Sequence, residues 1–256
     1  MFYLDPKKLR DQPVDEEPEL SQSSASAVNW PERFRQLAET AVDPRLKAYY
    51  AAGVPSGDTP LAEVPLLAMD VETTGLNARK DGIVSIGLIP MTLQRISCAR
   101  AGHWVVRPRT SLKEESIVIH GITHSQVQQA PDLDQLLEAL LQAMQGSVAV
   151  VHYRGIERPF LDAALRTRIG EGLEFPVIDT MELEARVHRQ KPPGWLDRLL
   201  GRQPVSIRLA DSRSRYGLPR YRPHHALTDA LACAELLQAQ IAHRYSPETL
   251  LERVWS

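Results

Sequence analysis

The spacing of apolar residues predicts three strands in the first half of the main folded region. An uninterrupted apolar run at residues 66–72 (LLAMDVE) is typical of a buried strand. Strand-like runs follow at residues 82–93 and 101–108, separated by short polar stretches. Strands spaced so closely along the chain favour an antiparallel meander.

Beyond residue 130 the pattern alternates between helix and strand. Residues 133–144 (LDQLLEALLQAM) place apolar side chains at helical spacing, and residues 147–153 (SVAVVHY) resemble another buried strand. The other predicted elements are a strand at 176–180 and helices at 156–169, 181–189, 206–217, 227–244 and 246–255. We therefore expect an α/β domain whose mixed sheet, an antiparallel meander plus parallel strands, is flanked by helices.

The first 64 residues differ in character from the rest of the chain. Residues 1–27 are polar, acidic and rich in Ser and Pro, which predicts disorder. Residues 28–64 are expected to form a helical extension and linker, whose second helix starts at Asp43-Pro44 and stops at Gly53. The main domain is then predicted at residues 65–245, with a helical tail at 246–256.

Composition narrows the class of protein without selecting a function. With 256 residues and 43% hydrophobic residues, the chain can form one α/β domain plus an extension. No apolar run approaches the roughly 20 residues that span a bilayer, and Cys98 and Cys233 lack metal-site spacing. We expect a cytoplasmic protein. The net charge of −2 argues against a general nucleic-acid coat but allows a local basic patch.

Two carboxylates stand at the end of the first predicted strand. Asp70 and Glu72 project from the same face of that strand, about 6.5–7 Å apart. Side chains this close repel each other unless a cation lies between them, and Mg²⁺ and Mn²⁺ prefer such oxygen ligands. An isolated D-x-E is more often a solvated strand end. Thr73, Thr74 and Gly75 add a tight turn whose backbone N–H groups could approach a ligand.

Further acidic residues follow later strands and helices. Glu157 lies at the start of a predicted helix, whereas Asp162 is turned to another face of it. His224 and Asp229 can face one cavity only if a loop meets a helix between them. Taken singly, Asp229 reads as a helix-start carboxylate and His224 as a surface histidine.

Together these segments resemble the DEDD superfamily of 3′–5′ exonucleases, in the DEDDh (DnaQ-like) branch of epsilon-type proofreading subunits and bacterial RNase T. The family motif D-x-E-T-T/G is similar to MDVETTGL, and H-x-A-x-x-D-A is similar to HHALTDA, with His224 as the motif histidine. HGIT at residues 120–123, PVIDT and RYGLP also resemble family segments. The resemblance spans residues 66–241 and implies an RNase H-like fold.

The second family motif differs in this chain. The family has H-N-x-x-F-D, and this chain has HYRGIE at residues 152–157. Tyr153 and Ile156 replace the asparagine and the phenylalanine, and Glu157 replaces the aspartate. Glutamate keeps the charge and adds about 1.5 Å of reach, which the strict geometry of Mg²⁺ makes significant. We interpret Glu157 as a working metal ligand. The properties that this substitution could alter are the activity of the site and its preference between metal ions.

The resemblance implies a reaction with two metal ions. It assigns Mg²⁺ or Mn²⁺ to Asp70, Glu72, Glu157 and Asp229, and the role of general base to His224, because an imidazole titrates near neutral pH. The implied product is a nucleoside 5′-monophosphate released from a 3′ end. The residues implied to hold the terminal nucleotide, with backbone N–H groups toward its 3′-hydroxyl and the last residue against its base, are Thr73, Thr74, Gly75 and Leu76.

A basic segment leads into His224. Between residues 186 and 225, ten Lys/Arg face two Asp, which leaves a net charge of +8. Such a segment could contact phosphates, and Trp195 within it could stack on a base; a solvated arginine face is the equal alternative. The charged residues are Arg186, Arg189, Lys191, Asp197, Arg198, Arg202, Arg208, Asp211, Arg213, Arg215, Arg220 and Arg222. Asp179 reads as a helix cap rather than a ligand.

Two classes of function remain open at this point. The first is a metal-dependent 3′–5′ exonuclease acting on a nucleic-acid 3′ end, with DNA favoured over RNA. The second is a non-catalytic nucleic-acid or protein-binding module on the same fold. Within the enzyme class, a proofreading subunit with a polymerase partner competes with a stand-alone repair or RNA-trimming nuclease, and a homodimer is allowed. We favour the stand-alone form, because the extra residues lie N-terminal to the domain.

Overall fold

The computed structural model describes residues 28–111, 114–188 and 205–256. It contains a five-stranded sheet with the order β3-β2-β1-β4-β5. The strands are β1 (Leu66–Thr73), β2 (Ile83–Met91), β3 (Gly102–Val105), β4 (Val148–Val151) and β5 (Val177–Asp179). β1 pairs with β2 and β2 with β3 in antiparallel register, whereas β4 pairs in parallel with both β1 and β5. The predicted mixed α/β sheet is confirmed.

The described helices lie between and beyond the strands. They are α1 (Trp30–Thr40), α2 (Pro44–Ala51), α3 (Glu114–His120), α4 (His124–Gln129), α5 (Leu133–Met144), α6 (Arg154–Ile169), α7 (Thr180–His188), α8 (Leu209–Arg215) and α9 (Ala226–Arg244). Within the described ranges, no helix is long and apolar enough to cross a bilayer. α3 and α4 were not predicted from the sequence.

The core is built on the central strands. Leu66, Leu67, Ala68 and Met69 of β1 are buried, because helices cover the sheet. α9 packs on β1 and β2, and α6 also contacts both strands. The starts of α6 and α9 therefore lie around the end of β1, where the strand leaves the core.

The N-terminal helices belong to the same core. Asp43 caps α2 by accepting the Arg45 N–H at 2.8 Å, as the Asp-Pro pair predicted. The rings of Phe34 and Tyr50 meet edge to face at 5.2 Å within the aromatic cluster of α1 and α2. The rest of the predicted N-terminal organisation, residues 1–27, lies outside the described residues.

The C-terminal residues complete one edge of the sheet. Ser256 and Val177 exchange backbone hydrogen bonds at 2.9 and 3.2 Å, and Leu251 and Trp255 are buried. The tail predicted to be helical contains only a 3₁₀ turn at Leu251–Arg253. This pairing satisfies backbone groups at β5 that a free sheet edge would leave open.

Candidate active site

Register in the sheet determines where the first two carboxylates point. In the β1–β2 ladder Asp70 lies opposite Gly87, and Glu72 lies opposite Ser85. Opposite residues share a face of the sheet, so Asp70 points to the side that Gly87 leaves bare. On that side, a Cβ at position 87 would come within 2.4 Å of the α9 backbone at Ala226. The missing side chain therefore lets α9 begin directly beside Asp70.

A loop-to-helix junction supplies the next two residues. His224 precedes α9 with a φ of 67°, and Asp229 is in the first turns of that helix. The Oδ2 atom of Asp229 accepts the backbone N–H of His224 at 2.7 Å. This bond holds the loop against the helix, so that both side chains line one cleft. A loop that meets a helix between His224 and Asp229 is the geometry that their sequence spacing required.

Three carboxylates converge at this point. Oxygen atoms of Asp70, Glu72 and Asp229 lie within 4.8 Å of one another. Burial, followed by the charges of Glu157, Glu72 and Asp229, raises the pKa of Asp70 well above its usual range. Burial and then Asp229 raise the pKa of Glu72 to about 7, and burial also raises the pKa of Asp229. Without a cation, the cluster would retain protons near neutral pH.

Glu157 lines the same cleft beside this group of three carboxylates. It is on α6 and is only 2% exposed, but it is not one of the three residues that meet within 4.8 Å. Its Oε2 atom, like Oε1 of Glu72, is buried and has no hydrogen-bond partner among the described residues. Burial first, and then Asp179, raises the pKa of Glu157 to about 8.

These properties fit a divalent cation. Buried carboxylate oxygens are normally hydrogen-bonded, and here two of them have no partner within the described part of the chain. Oxygen ligands with closely spaced negative charges suit hard divalent cations. The acidic residues of this cleft could therefore bind a divalent metal ion.

The cleft has a volume of about 660 Å³. Its rim carries Leu76, which is 85% exposed, and its remaining lining includes Thr73, Thr74, Gly75, Ser116, His120, His152 and Ile156. The hydroxyl of Thr73 donates to the Gly75 carbonyl at 2.6 Å, which closes the turn on itself. Within the turn, the backbone N–H of Thr74 donates to Gly82 O at 2.9 Å, so this group does not point to a ligand. The contact of the turn with a nucleotide stays a prediction.

His120 is a lining residue that sequence reasoning did not select. Its Nδ1 accepts the Ile122 N–H at 3.0 Å, so in the neutral ring the proton is on Nε2. Nε2 is buried without a partner within the described residues. Burial, and then His224, lowers the pKa of His120. The HGIT segment was the available signal, but nothing in it showed that its histidine turns toward the cleft.

The predicted basic segment divides into paired and free side chains. Arg213 is buried and bonds Glu235 at 2.7 Å, Arg215 bonds the buried Glu184, and Arg186 bonds Glu182 at 2.5 Å. The exposed side chains with no ion pair to any described residue are Arg208, Arg220 and Arg222. The members that lie outside the described residues are Arg189, Lys191, Trp195, Asp197, Arg198 and Arg202.

Asp179 acts as a cap, as its sequence position suggested. Its carboxylate accepts the backbone N–H groups of Tyr153 and Arg154, which begin α6, and that of Met181 in α7, at 3.0, 2.9 and 2.9 Å. Asp162 instead pairs with Arg166 at 2.9 Å and is not among the residues that line the cleft.

The sequence model of an exonuclease family matches residues 67–237. A DNA polymerase III subunit epsilon from Treponema pallidum is 29% identical over 180 residues, which cover 70% of this chain and 78% of that protein. A DNA polymerase III PolC-type from Thermotoga maritima is 25% identical over 71% of this chain, and the match spans only 12% of its own length. The nuclease domain of 3'hExo, a DEDDh family member bound to rAMP, superposes with a TM-score of 0.58 at 18% identity, covering 70% of this chain and 92% of that one.

The chain therefore belongs to the exonuclease family. The predicted exonuclease class and RNase H-like fold are confirmed. The DEDDh branch and the 3′–5′ direction stay predictions. The roles of individual residues in the cleft remain predictions, because these matches concern the domain as a whole.

Proposed function

We propose that this chain removes nucleoside 5′-monophosphates from a nucleic-acid 3′ end, with Asp70, Glu72, Glu157 and Asp229 as ligands of two Mg²⁺ or Mn²⁺ ions. The observation that carries the proposal is the convergence of three carboxylates within 4.8 Å beside His224. Such ions, when bound, would supply an activated water and stabilise the leaving oxygen.

His224 is the general base in this proposal. Its backbone N–H is tied to Asp229, so the imidazole is held at the cleft while remaining exposed. An exposed imidazole can take the proton of the attacking water and pass it to solvent. The positive φ of His224 is a strained backbone conformation. The hydrogen bond from its N–H to the Asp229 carboxylate helps to hold it.

The turn at residues 73–76 holds the terminal nucleotide in this proposal. The hydroxyl of Thr73 is bonded within the turn, which keeps the turn narrow beside Asp70. Leu76 presents an exposed apolar side chain at the rim, where a base could cover it. Thr74 and Gly75 contribute shape, since the Thr74 N–H is already used.

Exposed arginines supply the affinity for the phosphate backbone. Arg222 is two residues from His224, and Arg208 follows Ile207, whose carbonyl bonds Nε2 of the cleft residue His152 at 3.1 Å. With Arg220, these side chains are free to neutralise phosphates without reading sequence.

The substrate class rests on the relatives. Those named above are DNA polymerase III proteins, whereas the 3'hExo domain holds a ribonucleotide. We favour DNA on this basis. A polymerase partner is consistent with the epsilon relative, and a stand-alone repair nuclease is the other form of the same proposal.

The test is a degradation assay on full-length protein with 5′-labelled single-stranded DNA, duplex DNA and RNA, in Mg²⁺ or Mn²⁺. We expect a ladder shortened from the 3′ end, abolished by chelator and by Asp70→Asn. Asp162→Asn is the matched control, because this carboxylate lies on α6 outside the cleft and should leave the ladder intact. A folded wild type that degrades none of the three substrates would instead favour the non-catalytic binding module.

A further inference from the structure

The start of α6 has an unusual backbone. β4 ends at Val151, and Tyr153 adopts φ 94° and ψ 78° before the helix begins at Arg154. A non-glycine residue at positive φ is strained and persists only where its surroundings hold it. The residue that carries this strain stands four positions before Glu157.

Asp179 supplies what holds the strained residue. One carboxylate oxygen of Asp179 accepts the Tyr153 N–H at 3.0 Å, and the other accepts the Arg154 N–H at 2.9 Å. Asp179 is 4% exposed and ends β5, opposite Val151 in the β4–β5 ladder. The carboxylate therefore joins the end of one strand to the helix that follows its neighbour.

Gly155 makes room for the same conformation. A Cβ at this position would lie 2.7 Å from Cζ of the Tyr153 ring, so the ring crosses the first turn of α6 where there is no side chain. Tyr153, Gly155 and Asp179 thus form one arrangement, and the two residues that follow Gly155, Ile156 and Glu157, line the cleft.

We propose that Asp179 is a positioning residue whose two hydrogen bonds to the start of α6 determine where the longer side chain of Glu157 enters the acidic cluster. The proposal rests on the proposed function, because Glu157 matters only if the cluster binds metal. It explains how the altered motif HYRGIE can keep a working carboxylate. The helix start is held by a residue 26 positions away along the chain.

The test compares Asp179→Asn with Asp43→Asn. Asparagine keeps one acceptor oxygen and turns an NH₂ group toward the second N–H, so one bond at the start of α6 is lost. Asp43 caps α2, which contributes no residue to the cleft, and its replacement is therefore a matched loss of a partly buried cap. The readouts are Mn²⁺ affinity by calorimetry without nucleic acid and amide hydrogen exchange at Arg154.

We expect Asp179→Asn to weaken Mn²⁺ binding by about 10-fold or more, as loss of a residue supporting a ligand does. Exchange at Arg154 should accelerate, whereas Asp43→Asn should change neither quantity. If Asp179→Asn does not fold, the double variant Asp179→Asn/Tyr153→Asn carries the test. Asparagine tolerates positive φ, so the second change should relieve the strain at position 153.

Unchanged metal affinity in Asp179→Asn, or an equal loss in Asp43→Asn, would overturn the positioning role alone. A wild-type chain that binds no Mn²⁺ would overturn the proposed function, and the positioning role with it.

Discussion

The end of β1 and the start of α6 deliver carboxylates to the same cleft by different means. Asp70 and Glu72 stand in β1, where pairing with β2 sets their positions and β4 pairs with the earlier residues 66–68. Glu157 follows a residue at positive φ, which is held by a carboxylate from β5. The end of β1 matches its family motif and is positioned by the sheet alone. The start of α6 has the altered motif and is held by Asp179, which is distant in sequence.

Removing the carboxylate of the strand segment should have the largest effect. We expect Asp70→Asn to reduce the rate of degradation by about 10³-fold or more, because it removes the charge at the centre of the cluster. In chelator the same variant should unfold at a higher temperature, since the folded state no longer has to bury a carboxyl group that is ionised in the unfolded state. Gel-based rates and thermal unfolding measure the two effects. An active Asp70→Asn would refute the assignment of this cleft as the catalytic site.

Glu157 offers the most direct test of the helix segment. We expect Glu157→Gln to lower the rate by about 10²-fold and Glu157→Asp by about 10-fold, because the α6 start is set for the longer side chain and metal geometry is strict. The comparison is made at saturating Mg²⁺ and repeated in Mn²⁺. If Glu157→Asp is faster than wild type, α6 is not adapted to glutamate.

Gly155→Ala tests the space under the Tyr153 ring. A Cβ placed 2.7 Å from the far end of the ring must displace it, which should cost up to about 1 kcal/mol of unfolding free energy, because the ring can swing aside. Adding Tyr153→Ala removes the ring and should restore part of that free energy. Chemical denaturation of the single and double variants measures it. Simple additivity of the two changes would contradict the packing of the ring on this glycine.

The smallest expected effect is a pH dependence of stability in chelator. The pKa of Glu72 is raised to about 7 and that of Glu157 to about 8, so the folded state retains protons that the unfolded state has lost. The unfolding free energy should therefore fall as the pH rises from 6.5 to 8, by at most about 1.4 kcal/mol per pH unit for each retained proton.

The chosen pH window limits an opposing contribution. Burial lowers the pKa of His152 to about 4 and also lowers that of His120, so these groups add stability as the pH rises until the unfolded state loses its imidazole protons. Unfolded histidines have a pKa near 6.5, so this opposing contribution fades between pH 6.5 and about 7.5. Glu157→Gln should flatten the decline, and stability that rises with pH in this window would contradict the burial of both glutamates.

Local sequence signals predicted much of the fold. The apolar runs gave all five described strands, and Asp43-Pro44 marked the start of α2. The short helices α3 and α4 were missed because they lack a long amphipathic pattern, although Thr123 and Gln126 form a capping box at α4.

The candidate site was predictable only where its geometry is local. The i, i+2 spacing of Asp70 and Glu72 and the loop before Asp229 determine their direction within one element. The positive φ of Tyr153 and the hydrogen bonds of Asp179 depend on contacts between elements. The same holds for Arg213 and Arg215, whose partners Glu235 and Glu184 lie on other helices and remove them from the basic surface.

The bare surface at Gly87 makes the cleft sensitive to a change at a residue that has no acidic side chain of its own. The backbones of β2 and α9 are in contact at this position, so even one methyl group would force them apart. It would push the helix bearing Asp229 away from the strand bearing Asp70. A single small substitution in the hydrophobic interior could thus separate the two halves of the acidic cluster while leaving every carboxylate in the chain.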